Sequence, residues 1–167
     1  MRNYSQEFLA ATERSKKFGL YVPDCTIDSN HRWINDKRIT ELTSVIKISI
    51  GNSKKKVFAQ CMNLHIHMSQ IISYYLDCPV YFTIGWLDDS LEKRKRFYFD
   101  EDFIKNKLKN GHAENTINIH AWLTLPSMEI IDIVYLTTQA MLKNIPLPSA
   151  VRIIAQHADE PRDIMYM

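Results

Sequence analysis

The sequence predicts an α+β protein, in which helices and then one long helix lead into strands that include a hairpin. Three observations predict it. Apolar residues of 58–76 fall at helical spacing, and residues 115–125 alternate as a half-buried strand does. Nothing along the chain repeats the strand–helix–strand alternation of a parallel sheet. A length of 167 residues suits one domain over 1–167, and 46% hydrophobic residues suffice for a core.

Taken in order, residues 5–18 read as a short helix stopped by Gly19. Residues 21–35 carry Pro23, Asp24, Asp28, Asn30 and Asn35, and read as a long loop or an irregular strand. Ile39, Leu42, Val45, Ile46 and Ile50 predict a helix over 37–50, with Gly51 following its last turn. A turn at Asn52-Ser53 and the basic run Lys54–Lys56 come next, the run reading as solvated loop. Cys61, Leu64, Met68, Ile71, Ile72 and Tyr75 form one stripe of a helix over 58–76. Cys78-Pro79 ends it, because proline disfavours helix in the residue before it.

Val80 to Trp86 predicts a strand, and Asp88 to Arg96 a charged connection. Phe97–Phe99 reads as a short strand, and Asp100 as the cap of a helix ending at Asn110 before Gly111. In 115–125, Ile117, Ile119, Ala121, Leu123 and Leu125 share one face, with Asn118, His120, Trp122 and Thr124 on the other. Pro126-Ser127 is a turn, and Met128–Tyr135 a second strand. Helices over 136–143 and 148–158 complete the chain, separated by Pro146 and Pro148, and the tail from Pro161 is unassigned.

Composition excludes several classes. The 21 basic and 19 acidic residues leave a net charge of +2, too little for a protein dominated by phosphate contacts, so no nucleic-acid partner is expected. No apolar run reaches about 18 residues, so no membrane span is expected. The first residues are charged and polar, with no secretory leader in view. Three cysteines, Cys25, Cys61 and Cys78, are no disulfide framework and point to a reducing compartment, with the cytoplasm as default.

The candidate chemistry centres on a thiol. A cysteine becomes a nucleophile as its thiolate is stabilised, by the positive end of a helix or by an imidazole. Cys61 lies near the start of the 58–76 helix; were that helix to begin at Cys61, the sulfur would sit over its N-terminal N–H groups. A three-residue loop Leu125–Ser127 would set Thr124 opposite Met128 and His120 opposite Asp132, within reach of each other on one face. A two-residue loop would bring Ile133 there and turn Asp132 to the other face. Under the first register Asp132 orients His120, and His120 serves Cys61 as base. The N–H of Cys61 and the Gln60 side chain are candidate oxyanion donors, and Trp122 could shield the site from water.

Cys61 with its helix, then Cys78-Pro79-Val80 and Gly85-Trp86, resembles the corresponding run of the transglutaminase-like and papain-like cysteine superfamily. His120-Ala121-Trp122-Leu123 and Ile130-Ile131-Asp132 resemble its His-Ala-Trp strand and the aspartate of the next strand. The resemblance covers residues 58–135. It departs from the pattern at Ala59, where glycine is frequent, at Met62, and at Ile133-Val134, where Pro-Thr commonly follows the aspartate. It implies a core in which the helix carrying the cysteine packs on an antiparallel sheet. It further implies acyl transfer from a protein or peptide amide through a thioester at Cys61. Peptidase, amidase, deamidase and transglutaminase activities all remain open.

Blander readings stand beside this one. A cysteine on an apolar stripe is commonly a small core residue, and a strand histidine commonly structural. A non-catalytic interaction or adaptor protein could keep the fold without the chemistry. A small metal-binding domain would use Cys61, His65, His67 and His120, but no Cys-x-x-Cys or His-Glu-x-x-His motif supports it, so no metal and no other cofactor is expected.

Overall fold

A computed structural model describes residues 3–51, 53–111, 118–147, 149, 152–160 and 164–167. The expectations placed on Asn52, Ile117, Pro148 and Pro161 lie outside these. Helices that carry their own end signals lie close to where the sequence puts them. Helix α1 (Tyr4–Lys17) follows Asn3, whose side chain accepts from the N–H of Ser5. Helix α2 (Asp36–Ile50) follows Asn35, which accepts from Arg38 N–H, and stops at Gly51, where φ is 74°. A short helix α3 spans Lys54–Val57, so the basic run is helical rather than loop. Helix α4 (Cys61–Leu76) begins at the cysteine itself, three residues later than its apolar period suggested.

Strand β1 (Tyr81–Gly85) follows, then β2 (Leu87–Asp89) and β3 (Arg94–Arg96). The charged connection is thus a hairpin, and the strand expected at Phe97–Phe99 is absent because Phe97 takes a left-handed φ of 60°. Opposed charges explain why such polar residues pair: Asp88 faces Lys95 and Asp89 faces Arg94. Behind them, Asp89, nearly buried, accepts from Arg96 Nε at 2.6 Å. Helix α5 (Glu101–Asn110) starts at Asp100, whose carboxylate accepts from Phe103 N–H, and ends at Gly111.

Strands β4 (His120–Thr124) and β5 (Glu129–Asp132) form the expected hairpin, and helix α6 (Tyr135–Leu142) follows at once. The second strand is therefore shorter than its apolar run, which continues into the helix. Within 148–158, Ile154–His157 is strand β6 rather than helix, paired antiparallel along β5 from Glu129↔His157 to Asp132↔Ile154. The last strand, β7 (Ile164–Tyr166), pairs antiparallel with β2. The class is mixed α+β, with sheets ordered β1-β4-β5-β6 and β3-β2-β7 among the described residues.

Two compact units divide the chain. One comprises Met1–Cys25, Ile84–His120 and Ala158–Met167. There Tyr4 and Phe8 of α1 are buried, and Tyr4 N–H donates to the Asp159 carboxylate at 2.9 Å. The other comprises Thr26–Thr83 and Ala121–His157 and holds the main core. Leu42 and Ile46 of α2, Met68 and Ile72 of α4, and Leu123 and Ile131 of the sheet pack together with no exposed surface. Each such side chain contributes about 1.5–3 kcal/mol by leaving water. Cys61, Leu64, Ile71 and Tyr75 pack half-buried against this core, so the predicted stripe of α4 is the face it buries.

Candidate functional site

The first turn of α4 is shaped from both sides. Phe58 is extended (φ −55°, ψ 121°), Ala59 is left-handed (φ 54°), and Gln60 (φ −105°, ψ 30°) caps the helix. An L-residue with a left-handed backbone costs roughly 1–2 kcal/mol, which is why glycine is favoured in that conformation. Ala59 holds it because its N–H donates to Thr138 Oγ1 of α6 at 3.0 Å.

Cys61 is consequently the first helical residue, half-buried, with a helix of 16 residues behind it. Gln60 gives no side-chain cap to the first turn, and that turn carries no acidic residue. The helix N–H groups there form a positive end that favours an anion beside it. The carbonyl of the Gln60 side chain accepts from Asn63 Nδ2 at 2.9 Å, so its own amide N–H groups are what it could offer an oxyanion.

His65, one turn along α4, is fully buried. The N–H of Ile133 donates to its Nε2 at 3.0 Å, so that nitrogen carries no proton. The ring is then the neutral Nδ1–H tautomer, and Nδ1 donates to the Cys61 carbonyl at 2.6 Å. Sequence reasoning considered His65 solely as a metal ligand. Its signal was its place on the buried stripe, four residues after Cys61 and three before Met68, where a polar ring needs partners.

Asp132 ends β5 and is also fully buried. Its Oδ1 accepts from the N–H groups of Val134 at 2.9 Å and Tyr135 at 3.0 Å, satisfying the entry to α6. The same oxygen lies 3.7 Å from His65 Nε2. That is beyond hydrogen-bond length, and both atoms accept. A buried carboxylate on this strand does need donors, as its apolar neighbours imply, and backbone N–H groups supply two of them.

The hairpin register differs from the expected one. Thr124 faces Ile130 and Leu123 faces Ile131. Leu125 N–H donates to Glu129 O, and Met128 N–H to Leu125 O, each at 2.9 Å. The loop has three residues, as expected, but they are Pro126, Ser127 and Met128, one position later. Continuing the register sets Asp132 opposite Trp122 instead of His120. The shift preserves face, because pairing moved by two residues on one strand, so His120, Trp122 and Asp132 still share a side of the sheet. The cause is Met128, which takes φ 64° at a position where glycine or asparagine would be looked for.

His120 opens β4 and is 2% exposed, its ring stacked on Phe97 with centroids 5.0 Å apart. Trp122 is fully buried. Sequence reasoning missed Glu129, a buried carboxylate that accepts from Trp33 N–H at 2.9 Å, Ile34 N–H at 3.1 Å and Ser127 Oγ at 2.6 Å. It ties the 26–35 loop to the hairpin, assisted by Asp28 N–H donating to Pro126 O. Its signal, an acid beginning an apolar strand, is too common to single out.

The other thiols differ from Cys61 in setting. Burial pushes the Cys78 thiol up to about 11, with Glu129 adding to it. Burial also raises Cys25, against the pull of Lys16. Among the described residues, no three His, Cys, Asp or Glu side chains are grouped to hold a metal ion, and no helix is long and apolar enough to cross a membrane. No family model, no curated protein and no solved structure matches the chain.

Proposed function

We propose that this protein is a thiol-dependent amide hydrolase or acyltransferase built on a papain-like, transglutaminase-like core, acting on a protein or peptide amide. One observation carries this: Cys61 is the first residue of a long helix whose entry is bent by a left-handed Ala59. In this mechanism His120 takes the Cys61 proton, and the thiolate attacks the amide carbonyl carbon. The N–H of Cys61 and the amide of Gln60 bind the resulting oxyanion. The C–N bond breaks, the imidazolium returns its proton to the leaving amine, and a thioester remains. Water or a second amine then gives its proton to His120 and attacks the thioester carbon; the C–S bond breaks, and the imidazolium returns its proton to the Cys61 sulfur. In this reading Asp132 is the third member; the hairpin register, continued, sets it opposite Trp122, two residues from His120 along β4.

The test uses a glutaminyl peptide with hydroxylamine, which converts a thioester to a hydroxamate. Hydroxamate and released ammonia are expected from the native chain and absent from Cys61→Ala. His120→Gln is expected to lose about 100-fold or more, the usual share of a general base. If the native chain forms neither product and Cys61 alkylates no faster than Cys25, the proposal fails. The competing reading is a non-catalytic interaction protein. What favours it is the commitment of Asp132 Oδ1 to the entry of α6. A Cys61→Ala chain that folds and keeps its cellular phenotype would select that reading.

A further inference from the structure

Polar bonds on both sides of Cys61 tie the start of α4 to residues 132–138. Two residues before the cysteine, the chain is held where Ala59 N–H donates to Thr138 Oγ1. The peptide after it is held where the Cys61 carbonyl accepts from His65 Nδ1. The far side of the imidazole accepts from Ile133 N–H, in the turn between β5 and α6. That turn is set in place by Asp132, which accepts from the next two N–H groups, Val134 and Tyr135. Residues 132–138 therefore hold the entry to α4 at Ala59 and its first turn at the Cys61 carbonyl, on either side of the sulfur-bearing residue.

Helix geometry by itself does not require this grip. The Cys61 carbonyl already accepts, in an ordinary helix, from the N–H four residues on. The second donor, His65 Nδ1, is a side chain on that same turn, and nothing in helix propensity selects histidine for it. A fully buried leucine would fill the space, continue the apolar stripe and avoid desolvating a ring. A histidine is useful there because one planar group donates to the helix and accepts from the turn at once.

We infer that His65 is a positioning residue for the Cys61 thiol, clamping the first turn of α4 to the β5–α6 turn as a neutral Nδ1–H tautomer. The inference rests on the reading of Cys61 as the nucleophile. It assigns Asp132 a second duty, since the carboxylate builds the turn to which His65 is tied.

Two variants of the full chain separate clamp from filler. His65→Gln keeps one planar donor and one acceptor, whereas His65→Leu fills the space with neither. The readout is the rate of Cys61 alkylation by iodoacetamide, relative to Cys25 in the same molecule. His65→Leu is expected to lower this ratio about tenfold, the worth of one net hydrogen bond, and His65→Gln to restore most of it. Equal ratios in all three folded proteins would overturn the inference, as would an equal loss in both variants. If His65→Leu does not fold, nitrogen-15 NMR of the native imidazole decides. A proton on Nδ1 with a bare Nε2 supports the clamp, and a proton on Nε2 overturns it.

The two readings fail separately. A native Cys61 no more reactive than Cys25 removes the nucleophile. Ile133 N–H protected from hydrogen exchange in native chain and His65→Gln, but exposed in His65→Leu, would still establish the clamp. A reactive Cys61 indifferent to His65 removes the clamp alone.

Discussion

Helix α4 has a cysteine at each end, and the two thiols meet opposite surroundings. Cys61 is its first residue, half-buried, at the end where backbone N–H groups point outward. Cys78 follows two residues after Leu76, at the end where carbonyls point outward, and is 6% exposed. Its N–H donates to Ser73 O, and its own carbonyl accepts from Ser73 Oγ at 2.6 Å, so its backbone completes the helix terminus. One residue type is thus a candidate nucleophile at the start of the helix and a core residue just past its end. What separates them is the sign of the helix dipole and the depth of burial.

The largest expected difference is in alkylation. Near neutral pH, iodoacetamide should modify Cys61 at least about 100-fold faster than Cys78 in the folded protein, with mass mapping as the measurement. Comparable rates in native chain would erase the contrast between the two ends. In denaturant the difference should vanish.

A smaller effect appears in the alkaline stability of the fold. Below the ordinary thiol value of 9.0, folded and unfolded Cys78 both keep the proton, so this residue adds no pH dependence. Between 9.0 and about 11 the unfolded chain loses the proton while the folded chain keeps it, so stability falls as pH rises through that window. Urea midpoints on either side of the window should therefore fall more steeply in native protein than in Cys78→Ala. Equal slopes would show that burial does not hold the proton on Cys78.

The smallest effects concern the backbone bends that bound the helix. Ala59 (φ 54°) precedes its first turn and Asp77 (φ 52°) follows its last. Ala59→Gly should stabilise the protein by roughly 0.5–1 kcal/mol, the left-handed strain relieved less the added chain entropy. Asp77→Gly should gain only a few tenths of a kcal/mol, because aspartate tolerates this conformation better than alanine. Chemical denaturation of both variants would rank them. A loss at Ala59→Gly would mean that the entry to α4 does not carry the strain assigned to it.

How far the sequence can be read follows the range of the interactions concerned. Helix α5 is recovered end to end, since Asp100 caps Phe103 N–H and Gly111 terminates it within a dozen residues. Helix α2 is bounded equally locally by Asn35 and Gly51. The start of α4 was ambiguous because Phe58 continues its apolar period, and a contact with distant Thr138 bends the chain at Ala59. Strand β6 reads as helix in the sequence because its partner is β5, more than twenty residues earlier, and no local pattern encodes that pairing. The β2–β3 hairpin was hidden by its charges, which stabilise it once opposed across strands.

The candidate site divides in the same way. Periodicity and alternation alone determined that Cys61 belongs to the buried stripe of one helix and that His120 and Trp122 share a strand face, because both depend on neighbours a few residues away. Tertiary structure decided that α4 begins at Cys61, that Met128 moves the hairpin register by one loop position, and that Asp132 lies beside His65. The first and the last involve polar groups that meet partners far along the chain, and the second the left-handed backbone of Met128. Such partners are chosen by packing, which no short stretch of sequence contains.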